Sequence, residues 1–446
     1  MPSTFISNAR RRRRRWPLIL LLLLVLGAAA GGGAYLLFFQ KESNFSNPNA
    51  EFEGKDAKKK PKPKPKPKGP TFKWPTYGYT PDRTRYLDAK LNPPLKREWL
   101  FHPKAGRLLE FQPVLANGVL YWEDNAAKAF ALSAKTGKRR WKRSIGALAA
   151  ASPAWADGRV FFVTLKRSNG VDAGSIVCLN AKNGKKIWRK DLPSRAESSP
   201  LVLKGVVYFG SEDGTVYALK AKNGRKVWTY GASGAVKAGL AYSKGRLFFG
   251  DYSGEVTALR AKNGARIWST GTSGASFNRS GRFYSTPAVA YGRVYLGNTD
   301  SFTYSFVART GELAWRTALS GYVYASPSVA TVPRLGPTVF IGDFSGNFYA
   351  LDAKDGSIDW RRSDGGKVFG ASTVVGHTVY YSNVASRTTT GADVRNGNRV
   401  WGYHRGAYSP VISDGKRIYL TTYSSVYSFA PKPAKKPKHG KKKKRR

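Results

Sequence analysis

SPLVLKGVVYFGSEDGTVYALKAKNGRKVW, residues 199–228, reads as one complete unit of antiparallel sheet. Leu201–Leu203 is a short apolar run entered after Pro200, and Lys204-Gly205 marks a turn. Val206–Phe209 is all β-branched or aromatic, a composition that suits a pleated, half-buried strand. Ser211–Gly214 is a polar hairpin turn. Val216–Leu219 puts Tyr217 and Leu219 on one face by the two-residue period of a strand. Lys222-Asn223-Gly224 tolerates the positive φ that a tight hairpin needs, and Arg225–Thr229 returns as a fourth strand carrying Trp228.

The end of this unit recurs along the chain. ALSAKTGKRRW (131–141), CLNAKNGKKIW (178–188), ALRAKNGARIW (258–268) and ALDAKDGSIDW (350–360) are near-copies of 218–228, while SFVARTGELAW (305–315) and GADVRNGNRVW (391–401) are worn but in register. Trp141, Trp188, Trp228, Trp268, Trp315, Trp360 and Trp401 therefore follow one another at steps of 40 to 47 residues. A period of about 40–45 residues made of short strands is the mark of a β-propeller with one blade per repeat. A large ring at a fixed place in every blade is expected to pack between neighbouring sheets.

The first two strands recur as well, at 111–122, 151–162, 199–210, 238–250, 285–297, 325–342, 371–382 and 408–422, one copy more than the seven tryptophan phrases. The last copy ends near Phe429 without a fourth strand. Leu95-Lys96-Arg97-Glu98-Trp99 supplies the missing piece from the other end of the chain. The fold class is therefore all-β, an eight-bladed propeller of four-stranded antiparallel blades over residues 71–430, its last blade composite and its ring closed by an N-terminal strand that removes the exposed edges. Seven blades is the alternative.

The phrase A-L-x-A-x-[TND]-G-x-x-x-W resembles the repeat of the pyrroloquinoline-quinone-like propellers, over about residues 72–430. Trp74-Pro75-Thr76-Tyr77-Gly78 with Arg83-Thr84-Arg85-Tyr86 is similar to the lead-in common in that group. The resemblance implies either a quinoprotein dehydrogenase or a non-enzymatic propeller similar to the lipoprotein subunit of the bacterial outer-membrane barrel-assembly machinery. The family's repeat usually has Asp at its third position. Asp352 and Asp393 keep it, and Ser133, Asn180, Lys220, Arg260 and Val307 replace it, so the repeat is read as packing rather than a ligand site.

Before the propeller, residues 10–15 are six arginines and Trp16–Phe39 is uncharged. That length exceeds the roughly 20 apolar residues of a membrane-spanning helix. It predicts a single N-terminal transmembrane helix at 16–39, with residues 1–15 as a basic cytoplasmic tail; a cleaved signal peptide is the alternative. Residues 40–70 form a linker ending in KKKPKPKPKPKGP, in which Lys60 to Lys68 is expected to run as an extended spacer of some 25–30 Å. Residues 431–446 are a basic tail of the kind expected to be disordered. The net charge of the chain is +49. An excess this size implies a polyanionic setting, here anionic lipid or wall polymer at a bacterial cell membrane and not nucleic acid.

Motifs for chemistry are absent from the sequence. Cys178 is the single cysteine, so no intrachain disulfide can form, whereas adjacent cysteines are common in the quinoprotein enzymes of the resemblance. The four histidines, 102, 377, 404 and 439, have no metal-ligand spacing. The acids Glu212, Asp213, Asp251, Asp300 and Asp343 sit where turns favour them. The expectation is no catalysis, no cofactor and no metal.

The connections leading into each blade's first strand converge at one mouth of a propeller channel. They carry Arg195, Glu197, Lys237, Arg279, Arg282, Tyr284, Tyr322, Tyr324, Lys367, Phe369, Arg405 and Tyr408. Basic and aromatic side chains interleaved in this way suit an anionic polymer or a peptide segment. The combined expectation is a monomeric, membrane-anchored extracytoplasmic propeller, a non-catalytic scaffold for an envelope protein or an anionic surface. A divergent quinone-dependent oxidoreductase is the alternative.

Overall fold

The computed structural model describes residues 43–54, 72–103, 111–272, 281–408 and 411–432. Their strands form eight sheets. Blades 1 to 7 span Val114–Ser144, Ala154–Asp191, Leu201–Gly231, Ala241–Gly271, Ala288–Ala318, Ser328–Ser363 and Thr373–Tyr403. Blade 8 is composite. Val411–Ser413, Ile418–Thr421 and Val426–Pro431 are completed by Leu95–Phe101, with Ser428 opposite Trp99. The ring closes as the sequence predicts, and the seven-blade alternative falls.

The repeat works as a coupling between blades. Trp141 donates its indole Nε1–H to the carbonyl of Ala181 in the next blade at 3.0 Å. Trp188 reaches Ala221, Trp228 Ala261, Trp268 Ala308 and Trp315 Ala353 in the same way. Even the composite blade joins in, through Trp99 and Ala134. Each ring also lies on the hairpin glycine of the next blade, as Trp228 does on Gly264. That glycine has φ of +74°, and the closeness of the ring leaves no room for a side chain. Alanine carbonyls and hairpin glycines are therefore the partners of these tryptophans, while Trp360 donates to the carbonyl of Val394 in the place of the alanine.

The lead-in, residues 72–87, plugs the channel. Lys73–Trp74 adds a strand to the inner edge of blade 1, and Tyr86–Leu87 adds a parallel one to blade 7. Between them the chain passes the inner strands in turn. The backbone N–H groups of Trp155, Tyr242, Val289, Val329 and Val374 donate to the carbonyls of Pro75, Pro81, Asp82, Thr84 and Arg85. Inner-strand N–H groups facing an empty channel would otherwise depend on water. Blades 1, 5 and 7 consequently have five strands where four were expected, blade 5 gaining Phe45–Ser46 on its outer edge.

Arg83 and Arg85 of the plug are fully buried. The Arg83 guanidinium donates to the carbonyls of Leu240 and Tyr77, to Ser199 O at 3.2 Å and to Thr76 Oγ1. Burial, and then the charge of Arg85, bring its pKa down to about 9. Arg85 uses Nη1 on the carbonyls of Arg83 and Pro327, and its Nε and Nη2 find no partner.

Among the described residues no helix is long and apolar enough to cross a membrane. Residues 1–15, the expected span 16–39, the Lys/Pro run 55–71 and most of the tail lie outside the described residues.

Candidate functional site

The mouth opposite the plug's entry is a cup of about 430 Å³. Tyr77 of the plug lies beneath it, its hydroxyl 3.5 Å from Ser326 Oγ. Six of the predicted mouth residues line the cup: Glu197, Lys237, Tyr284, Tyr324, Phe369 and Tyr408. Each comes from a connection between one blade's outer strand and the next blade's inner strand, and eightfold repetition brings these connections to one end.

Half of the wall is aromatic. Tyr252 and Tyr284 have ring centroids 5.7 Å apart, Tyr284 and Tyr324 5.8 Å, Tyr324 and Phe344 5.8 Å, and Phe344 and Phe369 5.7 Å. Phe369 meets Tyr408 edge-on at 4.5 Å, and Tyr408 stacks on Phe111 at 6.1 Å. Such tilted and edge-to-face pairs are the favoured geometries of aromatic rings, so the arc holds its shape without a ligand.

The facing wall is an ion cluster. Lys237 Nζ lies 2.8 Å from Glu197 and 3.0 Å from Glu212. Arg195 lies 3.6 Å from both Glu212 and Asp172. The Tyr284 hydroxyl donates to Glu197 at 3.2 Å. Burial lowers the Lys237 pKa, but its bonds to Glu197 and Glu212 outweigh this and raise it above the usual lysine value. Burial, then the charges of Glu197 and Tyr252, push the Tyr284 hydroxyl far above 10. At neutral pH both are fully protonated, as donors to Glu197.

Of the remaining predicted residues, Arg195 belongs to the ion cluster, and Arg282, Lys367 and Tyr322 lie against the aromatic arc. Arg282 lies 5.4 Å over the Tyr252 ring, and Lys367 4.4 Å from the centroid of Phe344. Tyr322 is 53% exposed beside Tyr324 and Phe344. Arg405 is exposed and donates to the carbonyl of His404, apart from the cup. Arg279 lies outside the described residues. Tyr252, Phe344 and Phe111 were missed. Tyr252 and Phe344 each directly follow an aspartate of a hairpin turn, Asp251 and Asp343, and that aromatic-after-Asp pattern is the signal that could have found them.

The turn reading of the acids holds for aspartate. Asp213, Asp251 and Asp343 accept from backbone N–H groups two residues on, and Asp300 does the same for Phe302. Glu212 instead belongs to the ion cluster. Cys178 is buried, and burial raises its thiol pKa to about 12, so it is not a ready nucleophile.

Three solved structures share the fold. BamB from Moraxella catarrhalis is 17% identical with a TM-score of 0.62, covering 75% of this chain and 99% of its own. Quinohemoprotein alcohol dehydrogenase ADHIIG from Pseudomonas putida HK5 is 15% identical with a TM-score of 0.68, covering 83% and 82%. A europium-containing methanol dehydrogenase is 15% identical with a TM-score of 0.66, covering 81% and 98%. No curated protein matches the sequence.

A pyrroloquinoline quinone with its divalent cation needs carboxylate ligands and free cationic donors. Glu197 is the carboxylate of the cup, and Lys237 and Tyr284 already hold it. Among the described residues no group of three or more His, Cys, Asp or Glu side chains is placed to hold a metal ion. The residues present do not fit that cofactor. The sequence profile of the outer membrane protein assembly factor BamB matches residues 90–173, 170–328 and 233–432, and the chain belongs to that family of PQQ-like repeat propellers.

Proposed function

We propose that this chain is a membrane-anchored, extracytoplasmic binding propeller without catalysis, which engages an envelope partner at the cup. The observation that carries the reading is the division of the mouth into an aromatic arc and a self-neutralised ion cluster. Glu197 is already committed to Lys237 and Tyr284, so it is poorly placed to abstract a proton. The arc offers rigid apolar area, the commonest anchor of protein recognition. The cationic side chains of Arg282 and Lys367 lie against its Tyr252 and Phe344 rings. A partner that seats an apolar or aromatic side chain in the cup and carries acids beside it matches both parts, and a segment of an envelope protein has that chemistry.

The membrane anchor rests on Trp16–Phe39 and the preceding arginines. Fusing a reporter that works only outside the cytoplasm after Arg446 tests it: activity is expected, together with retention on membranes in high salt.

Binding is tested by replacing Phe369 and Tyr408 with alanine. Fluorescence titration of acidic peptides carrying one aromatic residue should weaken about tenfold or more. The same pair should leave binding to anionic vesicles, driven by net charge, unchanged. Loss of vesicle binding alone would point to a lipid surface as the partner. Turnover of an alcohol with added pyrroloquinoline quinone and calcium would overturn the non-catalytic reading.

A further inference from the structure

Blade 5 differs from the other blades at its outer edge, and the difference is matched to one peptide. In blades 2, 3, 4 and 7 the residue before the repeat tryptophan is Ile187, Val227, Ile267 or Val400, exposed by 42, 40, 38 and 44%. In blade 5 it is Ala314, completely buried. Residues 43–54 cover it. Phe45 pairs with Arg316 and Ser46 with Trp315 as an added antiparallel strand. The N–H of Asn47 donates to Ala314 O at 2.7 Å, and Ala50 joins the same apolar cluster as Ala314 and Trp315.

The rest of the contact is a row of cations on blades 4 and 5 reading acids and carbonyls. Arg293, 1% exposed, donates to the carbonyls of Glu51 and Ala50. Arg309 pairs with Glu51 at 3.0 Å, and Lys244 with Glu53 at 2.6 Å. Phe52 packs against Tyr291 with centroids 5.8 Å apart. A buried guanidinium at the start of an inner blade 5 strand, with two of its three nitrogens bonded to carbonyls of a distant segment, is costly without that segment. A strand edge with a matching row of charges is also how folds bind extended peptides.

We propose that the outer edge of blade 5 is a self-sufficient binding site for an extended acidic peptide, that residues 43–54 are its resident ligand, and that this ligand stays bound without the Lys/Pro connection. The Lys/Pro run then joins two segments that are each held on the propeller, instead of spacing the propeller from whatever lies N-terminal to it. The proposal is independent of the cup.

The test uses the full chain, in detergent, with an N-terminal affinity tag and a specific protease site in place of residues 61–66. After cleavage the propeller is expected to remain on the affinity resin. Ala314→Ile gives blade 5 a residue that blades 2 and 4 carry at this place, so the blade should fold while the peptide loses its seat. That variant, and separately the pair Glu51→Lys and Glu53→Lys, should reduce retention by about tenfold or more. A synthetic peptide of residues 43–54 in excess should release the propeller, and one with both glutamates reversed should not. Prompt loss of the propeller from the unmutated cleaved chain would overturn the proposal. So would retention that ignores both variants and the peptide, because the contact would then lie elsewhere.

Discussion

The indole N–H of Trp228 donates to the carbonyl of Ala261 at 3.1 Å, across the boundary between blades 3 and 4. The same ring closes over Gly264, where a Cβ would stand 2.6 Å from Cε3. Gly264→Ala is therefore expected to combine a positive-φ penalty with overpacking of a rigid ring, about 3 kcal/mol together. Gly245→Ala in the same blade is the control. Its φ is +85° but nothing lies within 4 Å, so only the backbone penalty of about 1 kcal/mol applies. Urea midpoints of the two variants check the difference, and equal losses would mean that the ring gives way.

Much of this architecture was legible because the propeller repeats itself. Trp99 could be assigned to blade 8 from its spacing alone, since ring closure demands a fourth strand. The mouth residues were legible for a related reason: any connection before an inner strand reaches the same end of the channel. The plug was not legible. Arg83 and Arg85 look like surface charges in a turn-rich stretch, and the carbonyls that hold them, of Leu240, Ser199 and Pro327, come from the connections leading into three different blades. Residues 43–54 hid similarly. Their acids read as linker composition until Lys244, Arg293 and Arg309 are brought alongside.

The two plug arginines should respond to substitution in opposite ways. Arg83 donates to buried carbonyls of Leu240, Tyr77 and Ser199, so Arg83→Met takes a donor from each of them in the interior and should cost about 3 kcal/mol. Arg85 has two donors without partners, and its charge helps to depress the pKa of Arg83. Arg85→Met removes a poorly compensated buried cation and should fall within about 1 kcal/mol of the parent, on either side. Thermal melts of the two variants at pH 7 distinguish them. A large loss from Arg85→Met would show that its cation–π contact with Tyr77, at 4.6 Å, outweighs its desolvation.

Glu123 offers a pH-dependent test. It stands at the end of a blade 1 strand where blades 3 to 6 have Gly210, Gly250, Gly297 and Gly342, and both of its oxygens are buried without partners. Burial, with the charge of Asp124 adding to it, holds its carboxyl well above 4.5. The folded protein keeps this proton while the unfolded chain releases it. The native state therefore binds more protons above pH 4.5, and stability falls as pH rises. Glu123→Gln removes that dependence. At pH 7 it should stabilise by about 1–2 kcal/mol, with the gain vanishing near pH 4. Denaturant titrations at the two pH values check it, and a gain that does not change with pH would refute the protonation argument.

The ion cluster of the cup should be structural, holding the connections before blades 3 and 4 in register. The side chains of Lys237 and Glu197 are only 21% and 12% exposed, so removing one partner leaves the other charge largely desolvated. Lys237→Met strands Glu197 and should cost about 2 kcal/mol. Glu212 suffers less, because Arg195 remains beside it. Adding Glu197→Gln should recover more than half of the loss, since the amide still accepts from Tyr284 and no longer carries a charge. The double-mutant cycle therefore yields a coupling of about 1 kcal/mol or more. The double variant should also keep the aromatic arc and its peptide affinity. If Glu197→Gln instead abolishes binding while stability is unchanged, the carboxylate contacts the partner directly, and the division of the cup into a recognition wall and a supporting wall fails.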